Sequence, residues 1–319
     1  MRFNSLKYLL QLSALTALLA APALSLSSYT LNLLIMMFLY GYLSTTWNIL
    51  GGFAGQHSLG HAAFVGIGAY TSTLLLASYG ISPWIGMFLG GIIALAYGLL
   101  LGYAAFRCGL KGPFFLLLTI AAAMILMITV LNLRSLGGAS GIVVPFEGSS
   151  PLYFQFENKI TYYYAGLGFL LMGVWVSYII RRGRLGYYFI AIRENEDAAQ
   201  ALGINVLRYK LVATAISAFL SAFGGTFYAQ YIFFIDPESL LSIGLSIEIL
   251  IYPIFGGIGT VLGPVIGTFV LYPVGELARY FWGGSVSGIH LLFYGGFLML
   301  AIIFMPEGIM GLYRTRRRD

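Results

Sequence analysis

The sequence is poor in charge. Only 9% of its 319 residues are Asp, Glu, Lys or Arg, whereas 59% are hydrophobic; soluble domains carry about 25% charged residues. A water-soluble globule of this size could not bury so much apolar surface, so that class is excluded. Disorder is excluded as well, because disordered chains are polar and highly charged. Lipid must therefore be the solvent for most of the chain.

Residues that build catalytic or metal centres are also scarce. Cys108 is the only cysteine, which excludes an internal disulfide and a thiolate cluster. His57 and His61 have the spacing of one helix face, but a metal site needs further ligands and the only other histidine is His290. Ser58 lies beside the first two histidines without an orienting acid. We therefore predict no metal, no cofactor and no enzymatic activity.

Long charge-free stretches are abundant, and each can cross a membrane. No charged residue occurs between positions 7 and 107, and about 20 apolar residues suffice for one helix. Continuous apolar runs favour helices over a barrel. We predict one all-α, polytopic transmembrane domain over 1–319 with about ten helices. The predicted spans are 8–25 (an uncleaved first span), 29–50, 62–79, 83–106, 114–132, 160–180, 210–231, 241–257, 260–280 and 286–304.

The positive charges orient these spans. With the N-terminus in the cytoplasm, 14 of the 17 Lys and Arg residues lie on the cytoplasmic side, as the positive-inside rule requires. Arg134, Lys159 and Arg279 are the exceptions. We therefore predict cytoplasmic termini, a cytoplasmic loop at 181–209 and an outer loop at 133–159. The net charge of +6 favours anionic membrane lipid. No basic stripe with interleaved aromatics indicates nucleic-acid binding.

The segment 181–209 is the only extended polar stretch, and it predicts a short helix. Asn195 is a good N-cap, and Glu196 and Asp197 would lie in the first turn, where the helix dipole favours negative charge. Gly203 is suited to end the helix. The helix either docks on another protein or merely connects two spans. The candidate docking residues are Glu194, Glu196, Asp197, Ala198, Ala199, Leu202 and Gly203.

Two glycine-rich segments, at 51–70 and 256–267, interrupt the apolar pattern. Polar side chains at membrane depth face a protein interior or a cavity, and broken helices with such side chains form the pathway of many transporters. Close helix packing is the alternative explanation for the glycines. An intramembrane Glu is a candidate for function or for a buried hydrogen bond near a helix end. The pathway candidates are Gly52, Gly55, Gln56, His57, Ser58, His61, Glu248, Gly257, Gly259 and Thr260.

These motifs resemble the permeases of ABC importers for branched-chain amino acids, of the LivM type. The stretch 51–70 is similar to the signature of that family, and 191–210 is similar to its coupling loop. Residues 256–268 and 305–312 match as well, so the resemblance covers nearly the whole chain. It implies a type II-like importer permease in the bacterial cytoplasmic membrane, with broken or re-entrant segments and alternating access.

The same resemblance implies partners. A second homologous permease, two cytoplasmic ATPase subunits and an extracytoplasmic substrate-binding protein would complete the importer. The helix at about 195–203 would seat on an ATPase, and the outer segments 133–159 and 232–240 would receive the binding protein. No Walker A pattern is present, so ATP must be bound by the partners.

Three other functions compete with amino-acid import. A permease for urea or short amides would share the same fold and differ only in substrate. An ion-coupled secondary transporter needs intramembrane carboxylates, for which only Glu248 and Glu276 qualify. An intramembrane enzyme would depend on Ser58 with His57 or His61 and has no visible acid.

Overall fold

The computed structural model describes residues 27–282 and 308–315, together with residues 295, 296 and 299. Two predicted spans fall elsewhere. The span 8–25 lies outside the described residues, as does the span 286–304 apart from those three positions.

The described chain is almost entirely helical. In chain order its helices are α1 Ser28–Asn48, α2 His61–Tyr79, α3 Pro83–Arg107, α4 Pro113–Asn132, α5 Lys159–Arg182, α6 Arg184–Glu194, α7 Glu196–Ala201, α8 Val206–Ile232, α9 Pro237–Leu240, α10 Ile243–Gly256, α11 Gly263–Trp282 and α12 Gly308–Thr315. A π-helix, Ile49–Phe53, continues α1, and two short strands are β1 Ile142–Val143 and β2 Phe234–Ile235.

Seven of the described helical segments are long and apolar enough to cross a membrane. They are α1 with its π-helix, α2, α3, α4, α5, α8, and α9 with α10. Each coincides within a few residues with a predicted span. The helix α11 covers the predicted span 260–280, but it carries Glu276 and Arg279 and is not among the seven. The protein is therefore a multi-pass helical membrane protein.

Polar caps set the starts of the long helices. Before α5, Asn158 accepts a hydrogen bond from the amide of Ile160 at 2.8 Å. Before α8, Asn205 accepts one from the amide of Arg208 at 3.0 Å. These side chains satisfy amides that an isolated helix end leaves without partners. Each of these two apolar spans is therefore preceded by a polar residue that fixes where it begins.

Helix α8 lies at the centre of the packing and contacts both α2 and α3, which also contact each other. Glycine permits this approach, since a Cβ on Gly225 would overlap the carbonyl oxygen of Val65. Close contact through small residues is the usual way membrane helices associate, because lipid provides little hydrophobic force between them. A second group of packed helices consists of two pairs, α1 with α5 and α10 with α11.

The segment 133–159 is more ordered than a connecting loop, and it adds one short strand pair to the otherwise helical fold. Its strand β1 pairs antiparallel with β2, so that Ile142 lies opposite Ile235. The amide of the fully buried Gln155 donates to the side-chain oxygen of Gln230 on α8 at 3.0 Å. The ribbon pairs backbone groups that would otherwise be unsatisfied at the end of the bundle. Thus the two predicted outer segments, 133–159 and 232–240, form one surface.

Candidate functional site

The predicted short helix in 181–209 is confirmed. The Asn195 side chain accepts a hydrogen bond from the amide of Ala198 at 2.9 Å, and the helix runs Glu196–Ala201. Gly203 follows with φ +85°, a left-handed conformation that favours glycine. Since α5 and α8 separate this segment from the β1–β2 ribbon, the two lie at opposite ends of the bundle.

The exposed surface around α7 lacks two residues of the predicted docking surface, Ala199 and Glu196. Ala199 is only 2% exposed and packs inside the chain, whereas Ala198 on the same helix is exposed. Leu202 is 82% exposed, an unusual position for a large apolar side chain. The surface that α7 presents outward therefore consists of Glu194, Asp197, Ala198, Leu202 and Gly203, with Ala199 beneath it.

Glu196 belongs to a charge cluster, defined here as Lys111, Glu196 and Lys210. The Glu196 carboxylate contacts the buried ammonium of Lys210 and lies 3.2 Å from that of Lys111. Burial alone would raise the Glu196 pKa, but the hydrogen bonds and charges of the two lysines outweigh burial and lower it. The hydrogen bond and the charge of Glu196 in turn raise the pKa of Lys111. The cluster fixes the N-terminus of α7 to α8 and to the turn between α3 and α4.

The first break, residues 54–60, is an irregular segment between the π-helix and α2. Gln56 is 5% exposed and Ser58 is 1% exposed, whereas His57 is exposed. Trp47 holds the segment by donating its indole N–H to the Ser58 carbonyl at 2.8 Å. Gln56 donates to the Glu196 carboxylate at 3.5 Å, a long contact that brings this break next to the charge cluster.

His61, the first residue of α2, is fully buried and braces helices. Its Nε2 lies 2.7 Å from the hydroxyl of Ser217, which donates to the Thr46 carbonyl at 2.8 Å. The Ser58 hydroxyl instead accepts from the amide of Gly60. Ser58 and His61 therefore do not form a nucleophile–base pair. No group of three His, Cys, Asp or Glu side chains that could hold a metal occurs among the described residues.

The second break, residues 257–262, meets the end of α1 in a contact we call the junction, formed by Asn48, Gly52, Arg193, Gly259 and Thr260. Asn48 accepts from the Gly259 amide at 2.9 Å and donates to the Thr260 carbonyl at 2.8 Å. From the polar segment, Arg193 donates to the Gly52 carbonyl at 3.0 Å. The junction thus joins the second break and the end of α1 with its π-helix to Arg193, which lies three positions before α7.

Glycine is required at the junction by close backbone approach. A Cβ on Gly52 would lie 2.8 Å from the Gly259 amide nitrogen, and one on Gly259 would lie 2.9 Å from the Gly52 oxygen. Gly259 also has φ +70°, which strains any other residue. A Cβ on Gly55 would lie 2.7 Å from Cγ of Arg193. The glycines therefore let the guanidinium sit between the two breaks.

The structure brings together most of the predicted site residues and separates Glu248 from them. Gly52, Gly259 and Thr260 meet in the junction, with Gly55 beside it. Gly257 adjoins the junction, because its carbonyl accepts from the Thr260 hydroxyl at 2.7 Å, and it also approaches Met310 of α12. Glu248 lies apart on α10, where Tyr252 donates to its carboxylate at 2.9 Å. Sequence reasoning missed four participants: Asn48, Lys111, Arg193 and Lys210. Three of them carried a signal, because Asn48, Lys111 and Lys210 are polar residues in or beside a predicted apolar span. Arg193 lies within the predicted loop 181–209 and carried no such signal.

The architecture is that of a multi-pass translocation subunit, in which one polar segment is tied to two helix breaks. Comparison with known proteins makes this specific. Residues 29–304 match the family described as "Branched-chain amino acid transport system / permease component", and the chain belongs to that family. It is accordingly a permease component of a transport system rather than an enzyme.

Individual relatives agree with this assignment. The chain is 29% identical to the high-affinity branched-chain amino acid permease protein LivM of Escherichia coli, over 98% of this chain and 77% of the relative. It is 25% identical to a probable branched-chain amino acid permease protein LivH of Methanocaldococcus jannaschii, over 77% and 80%. An L-arabinose ABC transporter permease, AraH of Azospirillum brasilense, is 23% identical over 78% and 72%. No solved structure matches the chain. The expected class, an ABC-importer permease subunit, is confirmed.

Proposed function

We propose that this permease imports branched-chain or other hydrophobic amino acids by alternating access, driven by ATP hydrolysis on partner subunits. One observation carries the mechanism: Arg193 and Glu196, on either side of the start of α7, contact the first break and the junction. A push on α7 therefore reaches α1, α2, α10 and α11 together. The substrate class is supported by the family and by the names of its relatives.

The complete importer would contain this chain, a second homologous permease, two cytoplasmic ATPases and an extracytoplasmic binding protein. The outward face of α7 would seat on one ATPase, and the surface around the β1–β2 ribbon would receive the binding protein. In this proposal the chain crosses the membrane about ten times, its two breaks are re-entrant and both termini are cytoplasmic. The excess of Lys and Arg in 181–209 supports that orientation.

Docking on α7 is tested with Ala198→Arg and Leu202→Arg, both at exposed positions. Each adds bulk and charge to the face that would enter the ATPase, so ATPase co-purification and ATP-dependent leucine uptake should both be lost. Tyr79→Arg is the matched control, because Tyr79 is 76% exposed at the far end of α2. If both α7 variants retain uptake and co-purification, α7 is not the coupling helix.

The substrate class is tested by uptake into vesicles that contain the assembled importer. Labelled leucine should accumulate only when ATP is present in the compartment that contains the ATPases. Labelled urea should not accumulate under the same conditions. Accumulation of urea without leucine would assign the chain to the short-amide permeases instead. Leucine uptake that follows an ion gradient without ATP would refute the importer mechanism.

A further inference from the structure

A cavity separate from the junction lies between α1, α2, α8 and α10. It has a volume of about 280 Å³, slightly below the range of about 300–1,000 Å³ that is usual for drug-sized ligands. It shares no residue with the junction or the charge cluster. Its lining residues are Leu39, Tyr40, Leu43, Val65, Tyr228, Ser239, Leu240, Ser242, Gly244, Leu245 and Glu248. A cavity of this size suits a small molecule.

The wall of this cavity is aliphatic on one side and polar on the other. Leu39, Leu43, Val65, Leu240 and Leu245 provide branched apolar side chains from four different elements. The polar remainder consists of one carboxylate and four hydroxyl-bearing side chains. A ligand that fills the cavity must therefore combine a branched hydrocarbon with a polar end.

Among the described residues that line the cavity, Glu248 is the only charged group. Its carboxylate accepts a hydrogen bond from Tyr252 at 2.9 Å and also interacts with the Tyr40 hydroxyl. It forms no ion pair among the described residues, and Arg279 is engaged by Glu276 at 2.7 Å. An ionised carboxylate has about four acceptor sites, so capacity remains for a cationic donor. Glu248 is half-buried. A carboxylate that is partly withdrawn from water without a cation is costly, and a bound cation would relieve that cost.

We propose that this cavity binds the transported amino acid, with its ammonium group on Glu248 and its branched side chain against the leucines and Val65. The assignment of the ligand rests on the proposed import function. The Ser242 hydroxyl can donate to the ligand carboxylate, because its Oγ only accepts, from the amide of Leu245. A neutral amide such as urea would leave the carboxylate without a cation and the aliphatic wall without a partner.

Binding is measured by protection of a cysteine in the cavity. The single native cysteine is removed by Cys108→Ser, and Ser239→Cys introduces a thiol at an exposed lining position. Ser78→Cys, at the end of α2 and outside the lining, is the control. The variants are labelled with a small thiol reagent in vesicles that contain the assembled transporter without ATP.

Four probes separate the chemical groups of the ligand. Leucine and 3-methylbutylamine, which both carry an ammonium and a branched chain, should slow labelling of Ser239→Cys. The deaminated analogue 4-methylpentanoate and urea should not. Equal protection by 4-methylpentanoate, protection by urea alone, or no protection by saturating leucine would each overturn the proposal. Protection at Ser78→Cys as well would show a general effect and would also overturn it.

A second variant tests Glu248 directly. Glu248→Gln should weaken protection by 3-methylbutylamine about tenfold or more, whereas Glu157→Gln, the same change at an exposed position outside the lining, should leave it intact. Unchanged protection in Glu248→Gln would refute the role of the carboxylate. The two proposals fail separately. Cysteine protection without ATP-dependent uptake refutes the import function and keeps the site, whereas uptake without protection refutes the site.

Discussion

Replacing Gly259 by alanine tests whether the junction transmits movement between α7 and the helix breaks. Gly259 has φ +70°, and a Cβ there would lie 2.9 Å from the Gly52 oxygen and would overlap the Arg193 guanidinium. The substitution therefore adds backbone strain and displaces Arg193 from the Gly52 carbonyl. Gly80→Ala is the matched control, because Gly80 has φ +63° and a Cβ there would meet no atom within 4 Å.

The two variants share one energetic term and differ in another. Left-handed backbone costs an L-residue about 1–2 kcal/mol, and both alanines carry this cost. Only Gly259→Ala loses the hydrogen bond from Arg193, a kind of bond that contributes about 1.5–3 kcal/mol when one partner is charged. The Arg193 side chain is 33% exposed, so the lower end applies. The excess for Gly259→Ala is about 1.5 kcal/mol, or about tenfold in an equilibrium.

The assay is the number of substrate molecules imported per ATP hydrolysed, measured beside thermal unfolding of the assembled importer. Both variants should unfold at lower temperature than the wild type, Gly259→Ala more so. Only Gly259→Ala should lower the transport ratio, because only that alanine disturbs the contact between the polar segment and the breaks. Equal stability and an equal transport ratio in the two variants would refute the reasoning.

Three further predictions concern the charge cluster, the ribbon and the first break. Glu196→Gln leaves Lys210 buried without a counter-charge and should destabilise the protein by about 3–5 kcal/mol, read as lost assembly. Because the lysines lower the Glu196 pKa, the ionised carboxylate stabilises the protein until the pH falls through that lowered value. The thermal stability of the wild type should therefore show no Glu196-dependent decrease between pH 7 and 5. A decrease in that interval that is absent in Glu196→Gln would contradict this. Gln155→Leu removes the bond to Gln230 together with those to Pro145 and Glu147, and it should cost about 1–3 kcal/mol or more locally, measured as faster proteolysis of 133–159. Unchanged cleavage would mean that these bonds are dispensable. Gln56→Leu should reduce uptake without loss of assembly, and normal uptake would assign Gln56 to packing.

Most of the helical frame could be predicted from apolar run length alone. The seven candidate spans coincide with predicted spans because a charge-free run of this length has few alternatives in lipid. The β1–β2 ribbon could not be predicted. Its strands contain two residues each, too few for an alternating pattern, and its partners Ile142 and Ile235 are far apart in sequence. The end of the first helical segment at Phe53 and the start of the next at His61 were hard to predict, because the glycines between and around them are compatible with both helix and loop.

The site residues likewise fall into two kinds, those that local sequence patterns reveal and those that depend on contacts between distant residues. The cap and the terminating glycine of α7 are local, so Asn195 and Gly203 could be assigned from the sequence. The burial of Ala199 could not, because small residues on a short helix do not reveal which side faces the bundle. The junction depends on contacts between residues that are distant in sequence. Arg193 and Gly52 are 141 positions apart, and Gly259 and Asn48 are 211 positions apart. A single sequence carries no information about which distant residues meet.

The junction explains why an importer subunit would place glycines and one arginine at the same point. A coupling helix can drive transport only if its displacement changes the packing of helices that line the path, and packed helices move as rigid bodies. Arg193 contacts Gly52, at the end of α1, and lies against Gly259, which connects α10 to α11. Irregular backbone at both places can absorb a change in φ and ψ that a continuous helix would resist. Movement of the polar segment would thereby reorient two helix pairs at once, which is what a switch between outward-open and inward-open states requires.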